Sequence, residues 1–221
     1  MHNGLKITLG SYYDYGNTVL LRQNKGVHEP QEEYVFQEVL KYMPEGASMM
    51  ELGSYWAFYS MWFGSAVAGA RCYMVEPDPH KMNSGKLNFK LNDLEGTFIT
   101  GFLSDKPELG QRIPQYSVDF LVKQYSISHV NILHSDIQGN ELRMLDGCKE
   151  CFEKGMIDYF FISTHSEELH KSCINKLLSH RYLILCEATL AESFSVDGLI
   201  VAKRQGAPGP DNIEISKRIG K

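Results

Sequence analysis

No apolar run in the 221-residue sequence approaches the roughly 18 residues that a membrane-spanning helix needs. The first residues also lack the charged start, apolar stretch and small-residue cleavage site of a secretion signal. A cytoplasmic address with no membrane partner is therefore expected. Clustered basic charge is missing too. Lysine and arginine are scattered and the formal net charge is −5, whereas binding to a phosphate backbone needs a basic face. That argues against nucleic acid as the main partner and for a small molecule or an uncharged group such as a glycan. Cysteine is sparse, with five residues and no framework spacing, so a disulfide scaffold is excluded. Cys148 and Cys151 have CxxC spacing, but they lie inside the helical pattern NELRMLDGCKECFEKG with no second pair to complete a zinc site. They read as packing residues. Internal repeats are absent as well.

What is present is a hydrophobic fraction of 43% with 22% charged residues, enough for one sizeable core. Residues 5–22 read as a short hairpin or irregular cap. EPQEEYVFQEVLKYM follows as a helix, with Pro30 in its first turn and Val35, Phe36, Val39, Leu40 and Met43 on one face. A strand over 47–52 precedes a helix from about 55 to 68, whose Trp56, Tyr59, Ser60, Phe63 and Val67 share a face. RCYMVE is a second strand, Asp78-Pro79 starts the next helix, and GTFITGFLS is a third strand ending near Ser104. SVDFLVKQYSI reads as a helix, VNILHSD as a strand and NELRMLDGCKECF as one helix. DYFFIST, a helix over 166–180, YLILCEA and GLIVAK complete the pattern. Near-continuous apolar strands separated by helices predict an α/β, doubly wound, mostly parallel seven-stranded sheet. Residues 1–44 form its cap of hairpin and helix, 45–204 the ligand-binding domain, and 205–221 a loose polar tail rich in Gly and Pro.

In a doubly wound sheet, ligands sit outside the carboxyl ends of the strands, where the strand order reverses. The predicted ends are polar: Glu51 with Gly53, Glu76, Ser104 with Asp105, His134 with Asp136, and His165. Two ligand classes use such a rim with an acid after the second strand, dinucleotides and S-adenosylmethionine, because both present a ribose diol to a carboxylate such as Glu76. A dinucleotide needs a second glycine two residues after the first, so that its pyrophosphate can approach the backbone, and here that position is Tyr55. S-adenosylmethionine has no phosphate and makes no such demand. Gly53 is then expected to let the chain pass close to the methionine part of the cofactor. Glu51, Ser54, Tyr55, Tyr59, Ser60, Glu76, Pro77, Ser104 and Asp136 join it as cofactor-binding candidates.

Three segments resemble the FkbM-type methyltransferases, a family with the class I, Rossmann-like, S-adenosylmethionine-dependent fold. MMELGSYWAFYSMWF resembles the family's acid-x-glycine turn and following helix, and VEPDPHKMNSGKLNFKLN its Glu-Pro-x-Pro segment with later asparagines. ILHSDIQGNELRMLDG resembles its Asp-x-x-Gly-x-Glu-x-x-x-Leu-x-Gly segment, the most specific of the three. The resemblance covers roughly residues 28–165. It departs from the family at Glu51, where Asp is usual, at Ala57, where a second glycine is usual, and at His134, where Lys is usual. Gln138 and Asn140 stand where the family has an acid or a small residue. The resemblance implies methyl transfer, most often to a hydroxyl, and does not name the acceptor.

Methyl transfer from a sulfonium asks the protein to position donor and acceptor and to remove a proton from a weak nucleophile. His134, Asp136 and His165 are the candidates, with Asp136 the first choice as base. Each also has a plain structural reading: a histidine bonded under a loop, a cap for the helix near Asn140, and the residue before the Ser166 cap. Glu141 reads as a solvated first-turn acid. No metal is required, but Asp136, Glu141 and His165 would be the ligands if a magnesium-like ion assisted. His28 and Glu29 are placed to close over the site. N-methylation, a non-catalytic cofactor-binding module and a dinucleotide oxidoreductase are the alternative functions.

Overall fold

The computed structural model describes residues 1–218. The chain runs through helices α1 (Tyr15–Gln23) and α2 (Pro30–Leu40), strand β1 (Ser48–Leu52), α3 (Phe58–Ala66), β2 (Arg71–Glu76) and α4 (Pro79–Leu91). There follow β3 (Thr97–Thr100), β4 (Phe102–Leu103), β5 (Gln115–Tyr116), α5 (Val118–Gln124), β6 (Val130–Ser135), α6 (Glu141–Asp146) and α7 (Lys149–Glu153). The chain closes with β7 (Ile157–Thr164), α8 (Glu167–Ser179), β8 (Tyr182–Ala188) and β9 (Gly198–Arg204). Seven strands form one sheet in the order β3-β2-β1-β6-β7-β9-β8. It is parallel except for β9, which runs antiparallel between β7 and β8. The expected doubly wound, Rossmann-like α/β architecture is what the chain adopts. Among the described residues, no helix is long and apolar enough to cross a membrane.

Period-two alternation divides the strands between two cores. Met49, Ile132, Tyr159 and Phe161 face Val35, Phe36, Phe58 and Phe63 on one side. Met50, Leu52, Leu133, Phe160 and Ile162 face Met144, Leu145, Cys173 and Leu177 on the other. The same alternation puts Glu51 and His134 on the α2/α3 side, two residues after Met49 and Ile132 respectively. That places them beneath the amino-terminal cap.

Several local expectations are corrected. Residues 5–22 contain no hairpin: α1 starts there instead, with Asp14 as N-cap accepting from the Asn17 backbone N–H at 2.9 Å, and it buries Thr18 and Leu21. α3 begins at Phe58, not near 55, because Tyr55 (φ 46°) and Ala57 (φ 60°) are left-handed and hold the chain out of the helix. GTFITGFLS is two strands. After Gly101, β4 leaves the main sheet and pairs with β5, where Phe102 N–H donates to Pro114 O and Ser104 N–H to Tyr116 O. The helix over 140–152 is broken into α6 and α7 at Gly147. Cys148 and Cys151 are buried free thiols in that region, in keeping with packing residues.

The segment after Lys203 is not loose through residue 218. Lys203, 2% exposed, donates from Nζ to Gly209 O and pairs with Asp211. The Tyr159 hydroxyl donates to Pro208 O, Ile213 N–H to Leu185 O and Arg218 N–H to Glu192 O.

Candidate functional site

Strand order reverses between β1 and β6, so a crevice must open at their carboxyl ends. Glu51 and His134 are direct lateral partners there. Above them α2 lays down an acid: His134 Nε2 lies 2.8 Å from Glu32 Oε1, without the alignment of a hydrogen bond. Ser163 Oγ donates to Glu32 Oε2 at 3.3 Å. The Tyr59 ring covers His134 at 4.3 Å between centroids, and its hydroxyl donates to Glu29 at 2.8 Å. Glu51 accepts the Ser60 backbone N–H at 3.0 Å. Burial alone would lower the His134 imidazole, but Glu32, Glu51 and Glu29 together raise it to about 9. Burial lifts the Glu32 and Glu51 carboxyls, and His134 pulls both back. The surrounding acids thus favour the protonated imidazole, and His134 is poorly placed to act as a free base.

The crevice is a cavity of about 600 Å³, within the size range of small-molecule sites. Of the candidates read from sequence, Glu51, Gly53, Ser54, Tyr55, Tyr59, His134 and Asp136 line it. Ser54 Oγ is buried without a hydrogen-bond partner. Ser60, Glu76, Pro77, Ser104 and His165 do not line the cavity. Ser60 acts through its N–H on Glu51. Glu76 ends β2 behind Tyr55, where Oε2 accepts the Tyr55 N–H at 3.1 Å and Oε1 the Asp78 N–H at 2.9 Å. Burial raises the Glu76 carboxyl. Ser104 lies in a separate polar cluster with Asp105 and Arg143, and Arg143 donates to Ser104 Oγ at 2.8 Å.

Gly53 has a nearer cause than a ligand. Its φ is +75°, and a Cβ there would fall 1.8 Å from the carbonyl oxygen of Asp136. The end of β1 and the loop after β6 cross at backbone contact, closed by the Asp136 N–H donating to Leu52 O at 2.9 Å. Only a residue without a side chain permits that crossing.

Beyond it stands His165, after β7, with Nε2 3.2 Å from Asp136 Oδ1 and 3.3 Å from Asp197 Oδ1, and Nδ1 3.0 Å from Glu141 Oε1. Glu141 is not a solvated first-turn acid. It is fully buried and accepts the Ile137 and Gly139 N–H groups at 3.2 and 3.1 Å, folding the loop of the Asp-x-x-Gly-x-Glu segment around itself. Burial opposes charge on His165, yet Asp136, Glu141 and Asp197 raise it to about 10. Burial would lift Asp136, yet His165 holds it below the usual carboxylate range. Asp197 goes the other way, up to about 6, because burial and the neighbouring acids outweigh His165. Because the acids favour the protonated form of both histidines, Asp136 is the one of the three sequence candidates left to accept a proton, with Asp197 a second carboxyl in the same wall.

The cap closes the cavity from the other side with Tyr12, Tyr13, His28 and Glu29, in keeping with the expectation for His28 and Glu29. Glu33 staples it: the carboxylate accepts the His28 and Glu29 N–H groups at 2.8 and 2.9 Å and pairs with His28 Nδ1 and His2 Nε2, each at 2.6 Å. Burial would lower His28, but Glu29 and Glu33 raise it to about 10. A histidine raised in the folded state contributes stability that is complete below its unfolded value near 6.5 and is lost as pH rises through the folded value. Thermal melts should therefore show the wild type losing more stability between pH 7 and 10 than His28→Gln. Equal slopes in the two proteins would remove this pair from the account. A second hollow of about 460 Å³, between residues 1–9 and α1, has aliphatic walls with Lys6, Arg22 and Lys25 and no candidate catalytic group.

Sequence reasoning missed Glu32, Tyr12, Asp197 and the lip of Phe194, Ser195 and Val196. Glu32 alone had a visible signal, an acid one helical turn before Phe36 on the apolar face of α2. The backbone is similar to that of a putative rRNA-methylase from Clostridium thermocellum, with a TM-score of 0.59 and 7% identity over 80% of this chain and 97% of that one. It is also similar to precorrin-6y C5,15-methyltransferase from Geobacter metallireducens, with a TM-score of 0.56 and 12% identity over 78% of this chain and 87% of the other. M. capricolum TrmK in complex with S-adenosylhomocysteine has a TM-score of 0.54 and 16% identity over 78% of this chain and 68% of its own. The chain has the class I methyltransferase fold. No protein-family model matches the sequence, and no curated protein does.

Proposed function

We propose that this protein binds S-adenosylmethionine in the crevice between β1 and β6 and transfers its methyl group to a hydroxyl of a small molecule or glycan. The three sequence segments support placing it with the FkbM type. The observation that carries the reading is the character of the cavity. Glu29, Glu51, Asp136 and Asp197 set four carboxyls in its wall against His28, His134 and Arg218, and Tyr12, Tyr55 and Tyr59 supply aromatic walls. Acids and ring faces suit a ligand that carries a sulfonium and an ammonium group. A pyrophosphate would meet repulsion there, and Tyr55 fills the place where a dinucleotide needs glycine. Structures similar in fold include one called a putative rRNA-methylase, but the acidic lining is unsuited to a phosphate backbone.

When bound, S-adenosylmethionine supplies an activated methyl group on a sulfur that leaves as a neutral thioether. Glu76 lies behind Tyr55 rather than in the cavity wall, with its two oxygens on the Tyr55 and Asp78 N–H groups; its assignment to the ribose diol rests on its place at the end of β2 and requires Tyr55 to move aside. Tyr55 and Tyr59 flank the cavity, while Ser60 and Ser54 fix and complete its Glu51 wall. Asp136 would orient the acceptor hydroxyl toward that methyl group and take its proton as the oxygen is methylated. His165 and Gln138 engage Asp136 through Oδ1, so the second carboxylate oxygen is the one assigned to the proton. Positioning of this kind can contribute roughly 7–11 kcal/mol, and a general base on the order of 10²–10⁴-fold.

Incubation of small-molecule and glycan extracts with the protein and methyl-deuterated cofactor, followed by mass spectrometry, tests the reading. A labelled ether product is expected with wild type. Label only in RNA or protein fractions would overturn the acceptor assignment. A labelled amine would move the assignment to N-methylation, which the same acidic walls favour.

A further inference from the structure

We infer that Asp136, His165 and Asp197, with Glu141 behind them, form a site for a divalent cation of the Mn²⁺ type at the acceptor end of the cavity. The inference rests on the methyl-transfer reading for what the cation would do, though not for whether it binds. The donors already converge. One ligand atom each of Asp136, Glu141 and His165 lies within 4.8 Å of the others. His165 Nε2 is 3.2 Å from Asp136 Oδ1 and 3.3 Å from Asp197 Oδ1. Donors bound at ~2.1 Å to one ion stand ~3.0–3.4 Å apart along the edges of an octahedron or tetrahedron, so the Asp136–His165 and His165–Asp197 separations each match one edge of such a shell.

The contacts are close without being used as hydrogen bonds. Both ring nitrogens of His165 are buried without an aligned partner. The Glu141 carboxylate has no exposure, faces His165 Nδ1 through Oε1 and leaves Oε2 with no partner. No Lys or Arg pairs with Asp136, Glu141 or Asp197 among the described residues. Three carboxylates around one imidazole therefore leave negative charge uncompensated even when the ring is protonated, and such an excess is costly in a partly buried site. A divalent ion on a neutral imidazole removes it.

The arrangement also has the second layer that metal-bound histidines have. Glu141 faces Nδ1 while Nε2 faces the two aspartates, which is the carboxylate–histidine–metal order that fixes the ring. Glu141 is in turn held by the Ile137 and Gly139 N–H groups. One imidazole nitrogen with two carboxylate oxygens suits Mn²⁺, Fe²⁺ or Zn²⁺ better than Mg²⁺ or Ca²⁺, which favour all-oxygen shells. Asp136 and Asp197 line the cavity, so open coordination positions would face an acceptor hydroxyl. An ion there would lower the pKa of an acceptor hydroxyl bound to it.

The test is titration of the cofactor-free protein with MnCl₂, followed by the loss of the free Mn²⁺ paramagnetic resonance signal, with ZnCl₂ as competitor. One Mn²⁺ per chain is expected, displaced by Zn²⁺. Asp197→Asn and His165→Gln should each weaken binding at least about tenfold with the circular dichroism spectrum kept. No binding up to millimolar Mn²⁺ or Zn²⁺ would overturn the inference and make His165 an imidazolium held by three acids. Binding that both variants leave unchanged would overturn it as well. S-adenosylhomocysteine binding by the chelator-treated protein separates the two claims. If that ligand binds and Mn²⁺ does not, the cation site alone fails. If Mn²⁺ binds and that ligand does not, the cation site stands and the methyl-transfer reading fails.

Discussion

Asp136→Asn should lower kcat by at least about a hundredfold while leaving cofactor affinity close to that of wild type, the pattern for a group used only in the transition state. The substitution keeps the shape of the side chain and removes its charge. Asp136 is the acid that joins both halves of the site: its carbonyl oxygen meets Gly53, its carboxylate meets His165, and it lines the cavity. The acids around His134 and His165 favour their protonated forms, which leaves Asp136 as the proton acceptor among the three candidates read from sequence. The carboxamide would also present an N–H or a neutral oxygen to His165 Nε2 and leave Glu141 and Asp197 as its remaining acids. Steady-state kinetics with the acceptor identified by labelling, alongside a cofactor titration, gives both quantities. Turnover within a few-fold of wild type would remove Asp136 from the chemistry.

Gly53→Val should cost on the order of 3–5 kcal/mol of stability and abolish cofactor binding together with it. A β-branched residue at φ +75° is strained, and its Cβ would overlap the Asp136 carbonyl at 1.8 Å. Either β1 must retract or the loop after β6 must lift, and both movements displace Asp136 from His165. From sequence, Gly53 was expected to serve the ligand, so that Val would give a folded protein that fails to bind. The backbone crossing predicts a fold defect first. Urea unfolding separates the two: an unchanged midpoint with binding lost favours ligand approach, and a lowered midpoint favours the crossing. Wild-type stability and wild-type binding together would contradict both.

The core of this fold was legible because its strands are apolar runs of the right length between helices with clear starts, as Asp78-Pro79 and Ser166 illustrate. That Glu51, Gly53, His134 and Asp136 would line a crevice was legible because strand ends at a switch point are where a doubly wound sheet opens one. Three kinds of feature were hidden. Left-handed residues at Tyr55 and Ala57 shorten α3, and nothing in their side chains announces a positive φ. Glu32 and Asp197 reach the site from α2 and from the loop before β9, which are remote in sequence and meet β6 and β7 only after the sheet is wound. The segment after Lys203 looked loose because Gly and Pro dominate its start. Its anchors are backbone carbonyls of Pro208 and Gly209, received by Tyr159 and Lys203, and residue type does not record them. Glu141 was read as solvated because first-turn acids usually are. Its burial follows from the loop that wraps it, with Gln138 and Gly139 at positive φ.

Calorimetric titration of S-adenosylhomocysteine and NAD into the wild type and Glu76→Ala tests the central claim most directly. The account predicts one S-adenosylhomocysteine site per wild-type chain, no heat with NAD, and a loss of about 1.5–3 kcal/mol in Glu76→Ala, as for a hydrogen bond to a charged group. Tight NAD binding by the wild type, or unchanged S-adenosylhomocysteine affinity in a folded Glu76→Ala variant, would contradict it.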